Sequence, residues 1–238
     1  MRVQDLDRVS PERPVVVMHA SMHLMNVNTP MLARAGIDRD TDIEGVTRMD
    51  DGRPSGELCE FAAMFPVMRL IGSPFRTVGL SEDGLRMFGK VAQWAGVTTA
   101  TDLVNELGDE GVATLARITA EPDYPVRIVP AASALTYAGD PARCLEKLAA
   151  AKRLNHDKLH LGMVKLVVDG SIQGFTARVR WPGYYNGAPN GIWVIAPAEL
   201  DATVQAYHDA GVQLHIHTNG DEATQRAIDA VDLALRRT

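Results

Sequence analysis

The feature that most restricts the fold of this chain is the alternation of short β-branched apolar runs with capped helical stretches. Five runs read as core strands: Pro14–His19, Val97–Thr101, Pro125–Ala131, Leu161–Val168 and Val212–His217. Helix signals stand between them. Asn28-Thr29-Pro30 opens a short helix that Gly36 closes, with the cap first and proline at the first helical position. Ser81-Glu82-Asp83 starts another, to which Leu85, Phe88, Val91, Ala92 and Ala95 give one apolar face. Further helices are predicted over about Asp109–Thr119, from Asp140-Pro141 to about Leu154, from Pro197 to about Ala210, and from Asp221 to the last residues. Val46–Met49 and Ser55–Leu58 flank the turn Asp50-Asp51-Gly52-Arg53-Pro54, so a β-hairpin insertion is expected over about 45–59.

Strand and helix in alternation argue for an α/β fold with a parallel sheet. A doubly wound sheet and a (β/α)8 barrel both satisfy that pattern. No glycine fingerprint follows the first strand, which weighs against a dinucleotide fold. About five core strands are legible, whereas a complete barrel has eight. Residues 1–238 are therefore expected to form a partial (β/α)8 TIM barrel, an incomplete catalytic domain cut from a larger one. Its open sheet edges would favour aggregation, pairing with another chain or a homo-oligomer.

The 238 residues are 46% hydrophobic and 23% charged, an ordinary globular balance. A net charge of −6, no basic block and only 5% aromatic residues argue against nucleic acid as a partner. Cys59 and Cys144 are too few and too isolated for a disulfide framework or a zinc finger. No apolar run approaches the roughly 20 residues of a membrane span, and the longest, Phe61–Gly72, is broken by Pro66 and Arg69. The N-terminus is polar and unlike a signal peptide, so a cytoplasmic protein with a small-molecule partner is expected.

Two stretches concentrate chemistry. In Val212-Gln-Leu-His-Ile-His-Thr-Asn-Gly-Asp221 a strand runs into a helix, and strand alternation puts His215 and His217 on one side. Two imidazoles at a strand's C-terminal end suit a divalent metal, or form a buried hydrogen-bonded pair beside a helix cap supplied by Asp221. In Gly162-Met-Val-Lys-Leu-Val-Val-Asp-Gly-Ser171, Lys165 lies within an apolar strand. A buried ammonium needs a partner, a shifted pKa or a covalent change. Carbamylation, Schiff-base chemistry and an ion pair with Asp169 all answer that need. The glycine-rich loop Ser171–Gly191, with Trp181, Tyr184 and Tyr185, is long enough for a substrate lid, or packs on itself. His19 and His23 flank the end of the first strand, where either could line the same cavity and Asn26 could contact substrate, with a structural or capping role the stronger expectation for each. Met18, Met22, Met25 and Met31 read as core filler rather than a copper site.

Taken together, these residues resemble the metal-dependent amidohydrolase superfamily, amidohydrolase family 3, the YtcJ-like and N-substituted formamide deformylase-like branch. Three stretches carry the resemblance: His19-Ala-Ser-Met-His23 through Asn28–Ile37 to Asp51–Leu58, Val164–Ile172 with its loop, and His217-Thr-Asn-Gly-Asp221. It implies a barrel with one or two divalent ions, usually zinc, and hydrolysis of non-peptide C–N bonds such as amides, N-formyl groups or cyclic amides. By position it makes Lys165 and His217 metal ligands. His19, His23, Asn26, Asp169 and Asp221 are then expected to contact substrate. It also implies a first-strand His-x-His pair, a sixth-strand histidine and a general-base aspartate, none of which matches a residue of this chain. Two rival readings stand beside it. One is a barrel lyase or aldolase using Lys165 as a Schiff base, and the other is a non-catalytic product of a truncated gene.

Overall fold

The computed structural model describes residues 1–72 and 80–237. The chain divides into two compact units. The first comprises Met1–Pro74, Gly170–Ala177 and Pro182–Ile192, and the second Phe75–Asp169, Arg178–Trp181 and Trp193–Thr238.

The second unit carries the alternation seen in the sequence. Its elements run α4 (Glu82–Trp94), β5 (Thr99–Asn105), α5 (Asp109–Thr119), β6 (Arg127–Ser133), α6 (Pro141–Lys152), β7 (Met163–Val167), α7 (Pro197–Asp209), β8 (Gln213–His217) and α8 (Asp221–Arg236). The sheet order is β5-β6-β7-β8, every pair parallel. Consecutive strands are thus neighbours with a helix between each pair, the winding of a barrel wall. A doubly wound sheet would reverse its strand order. One face of this sheet packs under the helices. Ile128, Ala132, Val164, Leu166 and Val168 join Leu115, Leu148, Leu200 and Tyr207 in one apolar cluster. Ala131, Met163, Lys165 and Val167, which alternate with those residues, lie on the other face.

The first unit departs from expectation. The run read as a parallel core strand, Pro14–His19, forms β1 (Val16–Met18), which pairs antiparallel with β2 (Leu24–Val27). Only a short turn joins them, and a parallel pairing needs a crossover of a dozen or more residues. β2 escaped the sequence reading because its four residues, Leu-Met-Asn-Val, alternate too briefly to register. The expected hairpin forms as β3 (Val46–Arg48) and β4 (Pro54–Cys59), and β4 pairs with β2 as well. It is therefore one side of a four-stranded sheet in the order β1-β2-β4-β3. Helices α1 (Val3–Val9), α2 (Thr29–Ala35) and α3 (Glu60–Ile71) complete the unit. Met25 and Met31 fill its core with Val27, Leu58, Met64 and Val67, as the methionine-rich start suggested. Among the described residues no helix is long and apolar enough to cross a membrane.

Capping follows the sequence closely. Asn28 Oδ1 accepts from Met31 N, Ser81 Oγ from Gly84 N and Asp140 Oδ1 from Arg143 N. The last helix differs. Gly220 is its N-cap, Asp221 is its first residue, and Asp221 Oδ1 accepts from Arg180 N at 2.9 Å.

Candidate functional site

The polar side chains on the face of the second unit's sheet away from the helices are set by strand register. Ser133, Lys165 and His215 are partners across β6, β7 and β8. His217 stands one pleat further on, opposite Val167. Equal parity in a parallel ladder points Lys165, His215 and His217 to the same side. This is the outcome expected for the two histidines, and register adds that Lys165 is level with His215 rather than with His217.

Lys165 is 6% exposed. Burial pushes its pKa below the ordinary 10.5, and among the described residues no carboxylate pairs with it. The anticipated Asp169 partner is engaged elsewhere. His215 has its pKa lowered first by desolvation, then by the charges of Lys165 and His217, so a neutral imidazole is favoured there. His217 Nε2 lies 3.2 Å from Asn219 Nδ2. An ion at that nitrogen would replace this contact.

Asp169 is fully buried. One carboxylate oxygen accepts the Asn219 N–H at 2.9 Å, and the other accepts those of Arg178 at 2.9 Å and Gly220 at 2.8 Å. Bonds from an anion to backbone amides are strong. They pin the turn after β8 to the segment around Arg178, so both Asp169 oxygens are engaged by backbone. Gly220 belongs to the same clamp, because a Cβ there would overlap the backbone of Arg178. Arg178 in turn pairs with Glu222 at 3.0 Å and covers the Trp193 ring at 4.8 Å. Asp221, expected to contact substrate, also serves backbone through Arg180 N. In the loop over 171–191, Phe175 and Tyr184 meet edge to face at 5.3 Å, while Trp181 and Tyr185 are fully solvent-facing.

In the first unit the β1–β2 turn carries the two early histidines. His19 is exposed and bonds locally to Ser21 through Nδ1. Asn26 Nδ2 donates to the Met1 carbonyl oxygen at 2.9 Å. His23 does find a partner, one that sequence reasoning missed. Its Nδ1 lies 2.9 Å from Oε2 of Glu60, which is 2% exposed. The available signal was an acid at the junction of a strand and an apolar helix, the context already noted for Asp221. Next to it, Cys59 has its thiol pushed up to about 12, first by burial and then by the charges of Glu57 and Glu60, which favours the neutral thiol over the reactive thiolate.

No three His, Cys, Asp or Glu side chains converge on a metal position among the described residues. What the second unit brings to one face, two imidazoles and a buried amine with no counter-charge among the described residues, fits part of a metal site. A catalytic zinc generally takes about three protein ligands.

Comparison with known proteins places these residues in a family context. The chain is similar to "Putative amidohydrolase YtcJ" of Bacillus subtilis (strain 168), 24% identical over 96% of this chain and 42% of that protein. It is similar to "Exoenzymes regulatory protein AepA" of Pectobacterium carotovorum subsp. carotovorum, 29% identical over 95% of this chain and 48% of that protein. It thus spans about half the length of these relatives. In fold it matches the crystal structure of an uncharacterized metal-dependent hydrolase from Pyrococcus horikoshii OT3. There the TM-score is 0.60 and the identity 17%, over 97% of this chain and 44% of that one. The amidohydrolase family model matches residues 2–238. The chain belongs to the amidohydrolase family.

Proposed function

We propose that the protein is a metal-dependent hydrolase acting on non-peptide C–N bonds, such as amides, N-formyl groups or cyclic amides. One or two divalent ions, zinc by preference, would be held in part by Lys165 and His217. The observation that carries this reading is Lys165 itself. It is a buried amine with no paired carboxylate among the described residues, level with one histidine and one pleat from another. An isolated buried ammonium is costly, and carbamylation, which turns the amine into an anionic oxygen ligand, removes that cost. A bound divalent ion supplies Lewis acidity, polarising a carbonyl and lowering the pKa of water to about 7. The protein's own groups do the rest. Asp169 fixes the turn that follows His217 by accepting the N–H groups of Asn219 and Gly220.

The test uses the full-length protein, metal analysis and a panel of N-formyl and N-acetyl amines. Lys165→Ala and His217→Ala should each abolish turnover and reduce bound metal. Wild-type turnover with full metal content in either variant would overturn the assignment.

A second reading draws on the lowered pKa of Lys165, which favours the free amine that a Schiff base needs. Borohydride reduction in the presence of a carbonyl substrate such as pyruvate should then label Lys165. Turnover lost on chelation and restored by metal would refute it.

A further inference from the structure

His215 stands on the face of the second unit's sheet that the helices leave uncovered. It is exposed, and among the described residues no hydrogen bond or ion pair reaches either ring nitrogen. His19, His23 and His156 differ, since each bonds to a neighbouring side chain. Two roles were open to the β8 histidines from sequence, a metal pair and a buried hydrogen-bonded pair. The second does not form, because His215 is neither buried nor bonded to His217.

The backbone beneath the two rings is well held. β8 pairs with β7 at five successive positions, from Met163–Gln213 to Val167–His217. Residues two apart on a strand have Cα atoms about 6.6 Å apart and side chains on one side. Two imidazole nitrogens bound to one zinc ion, each at about 2.0–2.1 Å, lie roughly 3.3 Å apart. Rotation about χ1 and χ2 closes that difference with the backbone in place, and no bond holds the His215 ring back. At His217 Nε2 an ion would replace the contact with Asn219 Nδ2 at 3.2 Å. Lys165 is level with His215 on the neighbouring strand, so a third donor starts from the same row.

We propose that His215 is a metal ligand, and that His215 and His217 chelate one divalent ion between them. The ion belongs to the class that imidazole binds well, zinc, nickel or copper, rather than to calcium or magnesium. A third donor from Lys165 rests on the hydrolase reading, whereas the two-histidine chelate is testable without it.

The test uses the full-length protein, stripped by chelator and reloaded with Co(II) or 113Cd(II), with no substrate present. In wild-type protein labelled with 15N-histidine, a single cadmium should couple to the rings of both His215 and His217. Visible absorption should follow Co(II) to saturation. His215→Ala and His217→Ala should each weaken that binding by about tenfold to a hundredfold or more, since even an outer-shell partner of a ligand is worth that much. Cadmium coupled to His217 without His215, or Co(II) affinity in His215→Ala equal to wild type, would overturn the proposal and leave His217 and Lys165 as ligands. Uptake of neither ion would overturn it as well. The coupling measurement needs only the wild type, so it decides the matter even where a variant does not fold. Coupling to both rings, together with no turnover of any N-formyl or N-acetyl amine, would support the chelate and count against the hydrolase reading alone.

Discussion

Replacing Asp169 by alanine removes the acceptor of three backbone N–H groups, those of Arg178, Asn219 and Gly220, at 2.8–2.9 Å. The side chain is fully buried, so water does not take over without rearrangement. A hydrogen bond to a charged group contributes about 1.5–3 kcal/mol, which puts a simple sum at roughly 4–9 kcal/mol. Bonds sharing one acceptor are coupled, and the loop can relax, so the expected loss is about 3–5 kcal/mol. Asp169→Asn keeps one oxygen and presents an NH2 to at least one of the donors. It should lose less, about 2–3 kcal/mol. Urea denaturation measures the loss. Hydrogen–deuterium exchange locates it, and the amides of Arg178, Asn219 and Gly220 should lose protection first. A loss below about 1 kcal/mol with those amides still protected would refute the clamp, because a buried anion with three charge-assisted bonds cannot be that cheap to remove.

Asn28→Ala should destabilise the protein by about 2–4 kcal/mol by thermal or urea denaturation. It loses the acceptor for Val15 N and Met31 N and the donor to the carbonyls of Ser10 and Arg13. An effect of a few tenths would mean that it acts as a simple surface cap. Gly220→Ala should cost about 3 kcal/mol or prevent folding, because backbone rather than a flexible side chain blocks the new methyl. Wild-type melting would refute that close approach. Lys165→Met in metal-stripped protein should stabilise at pH 7. The folded-state pKa of Lys165 lies below the ordinary 10.5, so between that lowered value and 10.5 the unfolded chain holds more protons and wild-type stability rises with pH. Below the lowered value the full penalty applies, so the advantage of the methionine variant should narrow as pH approaches 10.5. A variant less stable than wild type throughout would show that the ammonium has a partner.

The second unit was legible because each of its signals is local. Observed strand and helix ends fall within a few residues of expectation, as in β7 at Met163–Val167 and α6 at Pro141–Lys152. In the first unit the α2 cap and the β3–β4 hairpin were legible, but its sheet was not, because a strand's partner is a non-local choice. Val15-Val-Val17 fits a buried parallel strand and a half-buried antiparallel one equally well, and the turn over 19–23 decides between them. Helix α4 shows a finer failure. Leu85 and Ala92 are buried as expected, but Phe88 and Val91 are 44% and 50% exposed. At 100° per residue the buried stripe runs Leu85, Gly89, Ala92, and nothing in the apolar pattern tells a glycine to face inward. In the candidate site, strand alternation sufficed to put His215 and His217 on one side. It could not find Glu60, whose meaning depends on residues 37 and 116 positions away in the chain.

By itself, then, the sequence determined where the helices of the second unit begin, that His215 and His217 share a side and that Lys165 would lie in an apolar strand. Capping, alternation and hydrophobic period are properties of neighbours along the chain. Tertiary structure alone decided that Asp169 binds backbone rather than Lys165, that His215 shares the lysine's register, and that a buried glutamate lies against His23. A carboxylate binds whichever donors the fold brings within about 3 Å, and spacing along the chain does not set that distance.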